Sequence, residues 1–464
     1  MADFTSALYL GIEHGSRQLA EWERLTLGKP AALEPPPGAA AVERKLAALV
    51  NCESALLAPS TLHVFWDLVA ILSARGVRLF VDDGLYPIGR WGVERAVACG
   101  AVATWFRRHD VSALSAAIAR AGHGVAVVVA DGFCPACGVP APLRAYLDCV
   151  APRDGLVLLD DTQSLGIFGE SPGRSGPYGS GGGGSLPAAG VRDRRVVVVS
   201  SLAKAFGAPL AMLAGPAAVV SAFENRGSTR VHCSPPSAAA IAAAANALAV
   251  NRRSGDALRA TLAARVQRFR RGLGKLAASA SLFPVQALRL PARVDPRKLY
   301  EGLGKRGVQT VLSRGDDGGR ARVTFVLTAR HRDSEIDQAL ASLVDTLRLL
   351  HRPKIAVDLL MLGDESVPLA DLLEAMLERP DKELVLGVGM RLQHGLHGGS
   401  ESLDGGNRLE LRCYGFNVVE QVVEDVMFRQ QSFRDSHGWN LSVAPAGYLT
   451  KIANFPPSVS AQVE

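Results

Sequence analysis

Val196-Val-Val-Val-Ser-Ser-Leu-Ala-Lys-Ala-Phe-Gly207 reads as a short buried strand that breaks at Ser200 and Ser201 and delivers Lys204 just past its end. An unbroken run of valines favours an extended strand covered on both faces. Small residues flank Lys204. A lysine in such a place is poorly solvated, which lowers its pKa and frees the neutral amine as a nucleophile. The plainer reading is a loop lysine whose stem lies along apolar surface with its ammonium in water.

A second stretch bears on that choice. Gly155-Leu-Val-Leu-Leu-Asp-Asp-Thr-Gln-Ser-Leu-Gly166 is another apolar strand, ending in Asp160 and Asp161. A carboxylate at a strand's end, upstream of a strand that delivers a lysine, is the pair that pyridoxal phosphate chemistry needs. The amine holds the cofactor covalently, and the carboxylate keeps the pyridine nitrogen protonated so that the ring can draw electrons. Here the sequence resembles the fold type I pyridoxal phosphate enzymes of aminotransferase class I/II. It is most similar to the α-oxoamine synthase branch, which includes 8-amino-7-oxononanoate synthase and glycine C-acetyltransferase. That branch typically carries Asp-Asp/Glu-Ala-His-Ser-x-Gly and, downstream, Ser/Thr-x-x-Lys-x-x-Gly. This chain has Asp160-Asp-Thr-Gln-Ser-Leu-Gly166 and Ser201-Leu-Ala-Lys-Ala-Phe-Gly207. The resemblance implies an α/β fold, with a mainly parallel, doubly wound large domain and a small α/β domain.

Composition suits this class. The chain has 464 residues, 48% of them hydrophobic and 21% charged, enough for two or three domains. The net charge of +6 is spread along the chain; its densest basic run, Arg265-Val-Gln-Arg-Phe-Arg-Arg271, suits a solvated helix face. No nucleic-acid partner is expected, and anionic substrates account for the excess. Seven scattered cysteines point to free thiols in a reducing cytoplasm. Cys134-Pro-Ala-Cys137 has the spacing of a metal or redox pair, but no second pair completes a zinc site, so no metal is expected. No signal peptide and no apolar run of membrane-spanning length is visible.

Along the chain, residues 1–45 form an N-terminal arm that looks helical at first and is then punctuated by Glu34-Pro-Pro-Pro-Gly38. The resemblance implies that this arm crosses to a second subunit of a homodimer. Residues 46–250 alternate strand and helix patterns, as a doubly wound large domain would. Ala55-Leu-Leu-Ala58 runs into Pro59-Ser-Thr-Leu-His63 and an apolar helix. A helix start rich in hydroxyls makes an anion site, or a plain helix cap. In the resembled family Ser/Thr-Gly-Tyr/Phe cradles the cofactor phosphate here, which maps the contact onto Thr61 and Leu62 without the glycine. After Val77-Arg-Leu-Phe-Val-Asp82 the family has an aromatic residue, usually histidine, stacked on the cofactor ring; the matching residue is Tyr86, which can stack but is a poorer proton shuttle. Asp131 and Pro135 replace a family Glu and Ser. Gln163 stands where the family often has His near the cofactor's phenolic oxygen, and it can donate a hydrogen bond but cannot titrate. Ser201 completes the phosphate set. Ser180-Gly-Gly-Gly-Gly-Ser185 reads as a flexible insertion. Thr229 and Ser234 lie where the family reaches across a dimer.

Residues 251–352 form the small domain, following a long alanine-rich helix. Phe283–Leu290 and Gly307–Ser313 read as strands and Leu299–Arg306 as a helix. Arg320-Ala-Arg-Val-Thr-Phe-Val-Leu-Thr-Ala-Arg-His331 resembles a family strand with an Arg-x-Arg pair. Arg322 matches the first arginine and Thr324 stands at the second, so Arg322 is the candidate clamp for a substrate carboxylate, a structural ion pair being the alternative. Residues 353–464 are an extra α/β segment beyond the family's usual end. Strands are expected at Val357–Gly363 and Leu409–Gly415, and a helix at Pro368–Glu378. His394 and His397 read as loop residues.

The expected activity is a pyridoxal phosphate-dependent transferase acting on an amino acid, condensing it with an acyl-CoA or acyl-carrier thioester. Lys204 is the catalytic residue, and Thr61, Leu62, Tyr86, Asp160, Gln163 and Ser201 hold the cofactor. The alternatives are an aminotransferase, decarboxylase or aldolase, for which the Tyr86, Gln163 and Thr324 departures speak, and a catalytically silent binding protein on the same fold.

Overall fold

The computed structural model describes residues 1–73, 76–313 and 319–351, and beyond them four strands of the C-terminal segment. The chain divides into two compact units, Met1–Val344 and Asp345–Glu464.

The first unit is built on a sheet of β1 (Ser54–Ala58), β2 (Val77–Asp82), β3 (Val102–Phe106), β4 (Val125–Asp131), β5 (Leu156–Asp160), β6 (Val196–Ser201) and β7 (Ala211–Gly215). Their order is β1-β7-β6-β5-β4-β2-β3; β7 is antiparallel to both neighbours and every other pairing is parallel. The valines of β6 are fully buried, as a strand with helices on both faces requires. Helix α1 (Ala39–Leu49) precedes the first strand, α2 (Thr61–Leu72), α3 (Pro87–Ala98), α4 (Val111–Arg120) and α5 (Leu143–Val150) join successive strands, and α6 (Ala217–Arg226) follows the last. Phe65, Leu68, Val81, Val93 and Val199 share one core against the sheet. Each contributes about 1.5–3 kcal/mol by its burial. At Gly92 the crossing of α2 and α3 is so close that a Cβ would lie 2.7 Å from the Phe65 carbonyl oxygen. That contact fixes the N-terminus of α3, where Tyr86 is the cap residue, relative to the N-terminus of α2.

Ser237 caps α7 (Ala238–Leu273), its side chain accepting from the Ala240 N–H. This 36-residue helix runs unbroken through residue 250 and carries Phe269 against Phe325 of the small sheet. The small sheet contains β8 (Val285–Ala287), β9 (Val311–Ser313) and β10 (Arg322–Val326), ordered β8-β10-β9 and antiparallel throughout. Helices α8 (Pro296–Lys305) and α9 (Asp333–His351) accompany it.

The N-terminal arm differs from its expected helical start. Ala2–Asp3 pairs in parallel with Val308–Gln309, and the segment then runs on without a helix, through a turn at Tyr9 and Leu10: the Val326 N–H donates to the Phe4 carbonyl and the Ala329 N–H to that of Tyr9. Phe4, Tyr9, Leu10 and Ile12 are all buried. Partners on the small sheet satisfy this backbone, so it has no need of helical hydrogen bonds. The only helical turn before α1 is Ser16–Gln18.

The glycine run at 180–185 also differs from expectation, being bound rather than free. Ser180 bridges to Glu170, the Gly166 N–H donates to the Gly182 carbonyl, and the Gly184 N–H donates to that of Phe168. Gly181, Gly182 and Gly184 have φ of +80°, +71° and +87°, a left-handed path that side chains resist.

In the second unit β11 (Lys354–Leu360), β12 (Glu383–Gly389), β13 (Arg408–Arg412) and β14 (Ser442–Val443) form a sheet ordered β13-β12-β11-β14. β11 and β12 are parallel and the other pairings antiparallel. The strands expected at 357–363 and 409–415 are found shifted toward the N-terminus. The helix expected at 368–378 and His394 and His397 lie outside the described residues.

Candidate active site

Because β1, β2, β4, β5 and β6 run the same way, their carboxyl ends meet along one edge of the sheet, where ligands bind in open α/β folds. That edge collects Ser60 and Thr61 after β1, Tyr86 after β2, Asp131 ending β4, Asp160 ending β5, and Ser201 and Lys204 at and after β6. Of the candidate residues, Thr61 with its neighbour Leu62, Tyr86, Asp160, Ser201 and Lys204 are thereby drawn to one rim. Gln163 follows Asp160 in the loop after β5.

Lys204 is extensively desolvated, which holds its amine below the ordinary lysine pKa, with Asp160 and then Asp131 pulling the other way. Its Nζ lies 5.9 Å from the centroid of the Tyr86 ring, which is 53% exposed and so offers an open face. Asp160 is buried, and desolvation raises its pKa against the Thr162 hydrogen bonds and Lys204. Its Oδ1 accepts from the Thr162 N–H at 3.0 Å. Asp131 is its register partner on β4 and accepts from the Tyr86 N–H at 3.1 Å. Desolvation, and then Asp160, push Asp131 well above the usual carboxylate range. Thr162 also ties the two motifs together, because the Ser201 N–H donates to its Oγ1 at 3.0 Å.

The neighbouring carboxylate has a different task. Asp161 accepts from the Ser185 N–H at 2.8 Å and from the Ser185 hydroxyl, and so anchors the glycine run. Burial raises it to about 6. Asp160 is the member of the pair left for the rim.

At the start of α2 the Ser60 hydroxyl does not cap the helix; it pairs with His63 Nδ1 at 2.8 Å. The N–H groups of Thr61, Leu62 and His63 find no acceptor among the described residues, so the positive end of the helix dipole is open to an anion. Desolvated amine, buried carboxylate, exposed aromatic face and uncapped helix start together fit pyridoxal phosphate: covalent anchor, ring-nitrogen partner, stacking surface and phosphate cradle.

Arg322 belongs to the small sheet. It opens β10, paired with Ser313, four residues and about 13 Å of strand from Val326, whose N–H meets the N-terminal arm. Thr324 is buried mid-strand between Ala287 and Val311. Thr229 donates to buried Asp67 at 2.7 Å, as does the Ser228 hydroxyl, which fastens that loop to α2. Cys134 and Cys137 are both free thiols.

Sequence reasoning missed Thr162, although it lies within the quoted motif, because its role depends on which loop it faces. It also missed Tyr9, whose hydroxyl donates to Gln163 Oε1 at 2.8 Å across 154 residues. Periodicity carries no signal for such a contact.

Among known proteins, the family model for aminotransferase class I and II matches residues 20–343. The 8-amino-7-oxononanoate synthase of Erwinia tasmaniensis is 28% identical over 361 residues, covering 74% of this chain and 88% of its own. That of Cronobacter sakazakii is 29% identical over 315 residues, covering 66% of this chain and 77% of its own. Among solved structures, Sphingomonas wittichii serine palmitoyltransferase superposes with a TM-score of 0.64 at 20% identity, over 75% of this chain and 87% of its own. The 8-amino-7-oxononanoate synthase of Francisella tularensis does so with a TM-score of 0.58 at 17% identity, over 75% and 98%.

Proposed function

Because the chain belongs to the aminotransferase class I and II family, we propose that it is a pyridoxal phosphate-dependent transferase that condenses an amino acid with an acyl thioester. The observation that carries the proposal is the desolvated Lys204 beside Asp160, on a rim that also holds the uncapped start of α2. The curated relatives, both named as synthases, favour condensation over the other reactions of the cofactor.

When bound, pyridoxal phosphate supplies a protonated ring that draws electrons from the substrate's α-carbon. Each residue then has a task. Lys204 Nζ would hold the cofactor and would serve as the base for the substrate's α-proton, a role its depressed pKa suits. Asp160 keeps the proton on the ring nitrogen. The N–H groups of Thr61 and Leu62, with the Ser201 hydroxyl, bind the phosphate. Tyr86 stacks on the ring, and Gln163 donates to the ring oxygen. Arg322 is the proposed cation for the substrate carboxylate. A homodimer working in the cytoplasm belongs to the same proposal. Among the described residues no helix is long and apolar enough to cross a membrane.

A second reading has one observation behind it. Neither Tyr86 nor Gln163 is an imidazole, so Lys204 carries more of the proton transfer, which suits amino transfer.

The test has two arms. Purified protein is scanned for a visible chromophore before and after borohydride, with Lys204→Ala alongside. It is then offered amino acids with acyl thioesters or with keto acids. A chromophore trapped in the parent and absent from the variant, with thiol release on turnover, supports condensation. Turnover that requires a keto acid selects the second reading. No chromophore even with added pyridoxal phosphate refutes both.

A further inference from the structure

Gln163 has one end bound and one end free. Its Oε1 accepts from Tyr9, while its amide nitrogen has no partner among the described residues and the residue is only half buried. An amide is nearly symmetrical in shape, so something must decide which end faces inward. Tyr9 is 2% exposed, and its hydroxyl has no other partner among the described residues. Burial drives the phenol's pKa far up, so its proton stays in place at any working pH. If the amide turned over, the Tyr9 proton would face an N–H and be left buried without an acceptor, a costly arrangement. The orientation that satisfies Tyr9 is the one that presents two N–H donors on the free side.

We propose that Tyr9 is a positioning residue that holds Gln163 with its amide nitrogen directed at an acceptor oxygen of the bound cofactor. This rests on the functional reading above. Tyr9 is itself held at two places. The Ala329 N–H donates to its carbonyl, and its ring meets Phe283 edge-on at 5.5 Å. Farther along the same segment, His14 Nε2 pairs with the Phe206 carbonyl at 2.8 Å, two residues beyond Lys204, and His14 Nδ1 pairs with Asn246 at 3.1 Å. Arg330 packs where a Cβ on Gly11 would sit and donates to the Gly11 carbonyl at 2.6 Å. One segment therefore fastens the small sheet to the loop of Gln163 and to the loop of Lys204.

Tyr9→Phe keeps the ring and removes only the hydroxyl. It is compared with Gln163→Ala and with the double variant, reading the absorption of bound pyridoxal phosphate against pH and the melting temperature of the cofactor-free protein. A hydrogen bond to the ring oxygen sets the titration of the bound chromophore. Both single variants are expected to move its midpoint by about half a unit to one unit, with no further movement in the double variant. An unmoved midpoint in Tyr9→Phe overturns the assignment, whether or not the melting temperature falls. Additive shifts overturn it too, because independent residues add. A parent protein that binds no chromophore refutes the functional reading itself, and this assignment with it. A chromophore in the parent with Tyr9→Phe unchanged refutes this assignment alone.

Discussion

Ser185→Ala isolates the contact that turns the glycine run into ordered structure. Asp161 is 1% exposed, and burial raises it from 3.8 to about 6 even with the Ser185 hydroxyl and N–H donating to it. A shift of about two units corresponds to about 3 kcal/mol. The sign follows from proton binding. The folded state holds the Asp161 proton more tightly than the unfolded state, so stability is greater in acid and declines as pH rises from about 4 to about 6. Above that range the fold carries the full cost of an ionised buried carboxylate. Removing the Ser185 hydroxyl takes away a charge-assisted hydrogen bond, about 1.5–3 kcal/mol, from the ionised form. The described fold is larger than the domains for which 1 kcal/mol moves Tm by about 2–4 °C, so a fall of about 2–6 °C at pH 7.5 is expected. At pH 4.5 the carboxyl is largely protonated in the folded state, and the loss should shrink to half or less. Thermal melts of parent and variant at the two pH values measure both. An equal loss at both would refute the reasoning, since it would mean that Ser185 acts through packing and not through the charge of Asp161.

The remaining predictions concern the proposed chemistry. Asp160→Asn should keep the cofactor on Lys204 yet lower kcat about 10²–10³-fold with little change in the amino-acid KM; a loss below tenfold in steady-state assays would remove Asp160 from its ring-nitrogen role. Tyr86→Phe should leave cofactor affinity within about twofold, whereas Tyr86→Ala should weaken it about 2- to 12-fold by spectroscopic titration, and equal affinities would argue against stacking. Arg322→Gln should raise the amino-acid KM about 10- to 100-fold at nearly constant kcat, and an unchanged KM would leave Arg322 a structural residue. Covalent capture of pyridoxal phosphate by Lys204 in the cofactor-free protein should rise with pH to a midpoint below that of an ordinary lysine, because burial destabilises the ammonium; a midpoint at the ordinary value would refute that cause.

Much of the large domain is legible in sequence because parallel strands carry their own label. The valine run at 196–199 and the apolar run at 156–159 can only be covered on both faces, and each ends in a polar residue where the chain leaves the sheet. Strand direction then brings Asp160 and Lys204 to one edge. What could not be read was contact between distant segments. Tyr9 and Phe4 look like an ordinary apolar sprinkling until β10 and the loop after it satisfy their backbone. The glycine run advertises freedom by composition, yet Asp161 accepts from Ser185 and Asp256 accepts from the Gly181 N–H at 2.9 Å. The task of Asp161, which accepts from Ser185, was equally hidden, since adjacent identical residues differ only in what they face.

The N-terminal segment has a consequence for the order in which the molecule can be completed. Ala2 and Asp3 leave the ribosome about 300 residues before their partners Val308 and Gln309, and the Ala329 N–H that bonds Tyr9 comes later still. At about 5–20 residues per second the segment waits roughly 15–60 s with its apolar side chains uncovered. The large sheet can assemble in that interval, but the loop of Gln163 and the loop of Lys204 receive their last fastening only when the small sheet has emerged. A chain released early would hold the lysine, the aspartate and the N-terminal segment, but not the small sheet that seats that segment against their loops.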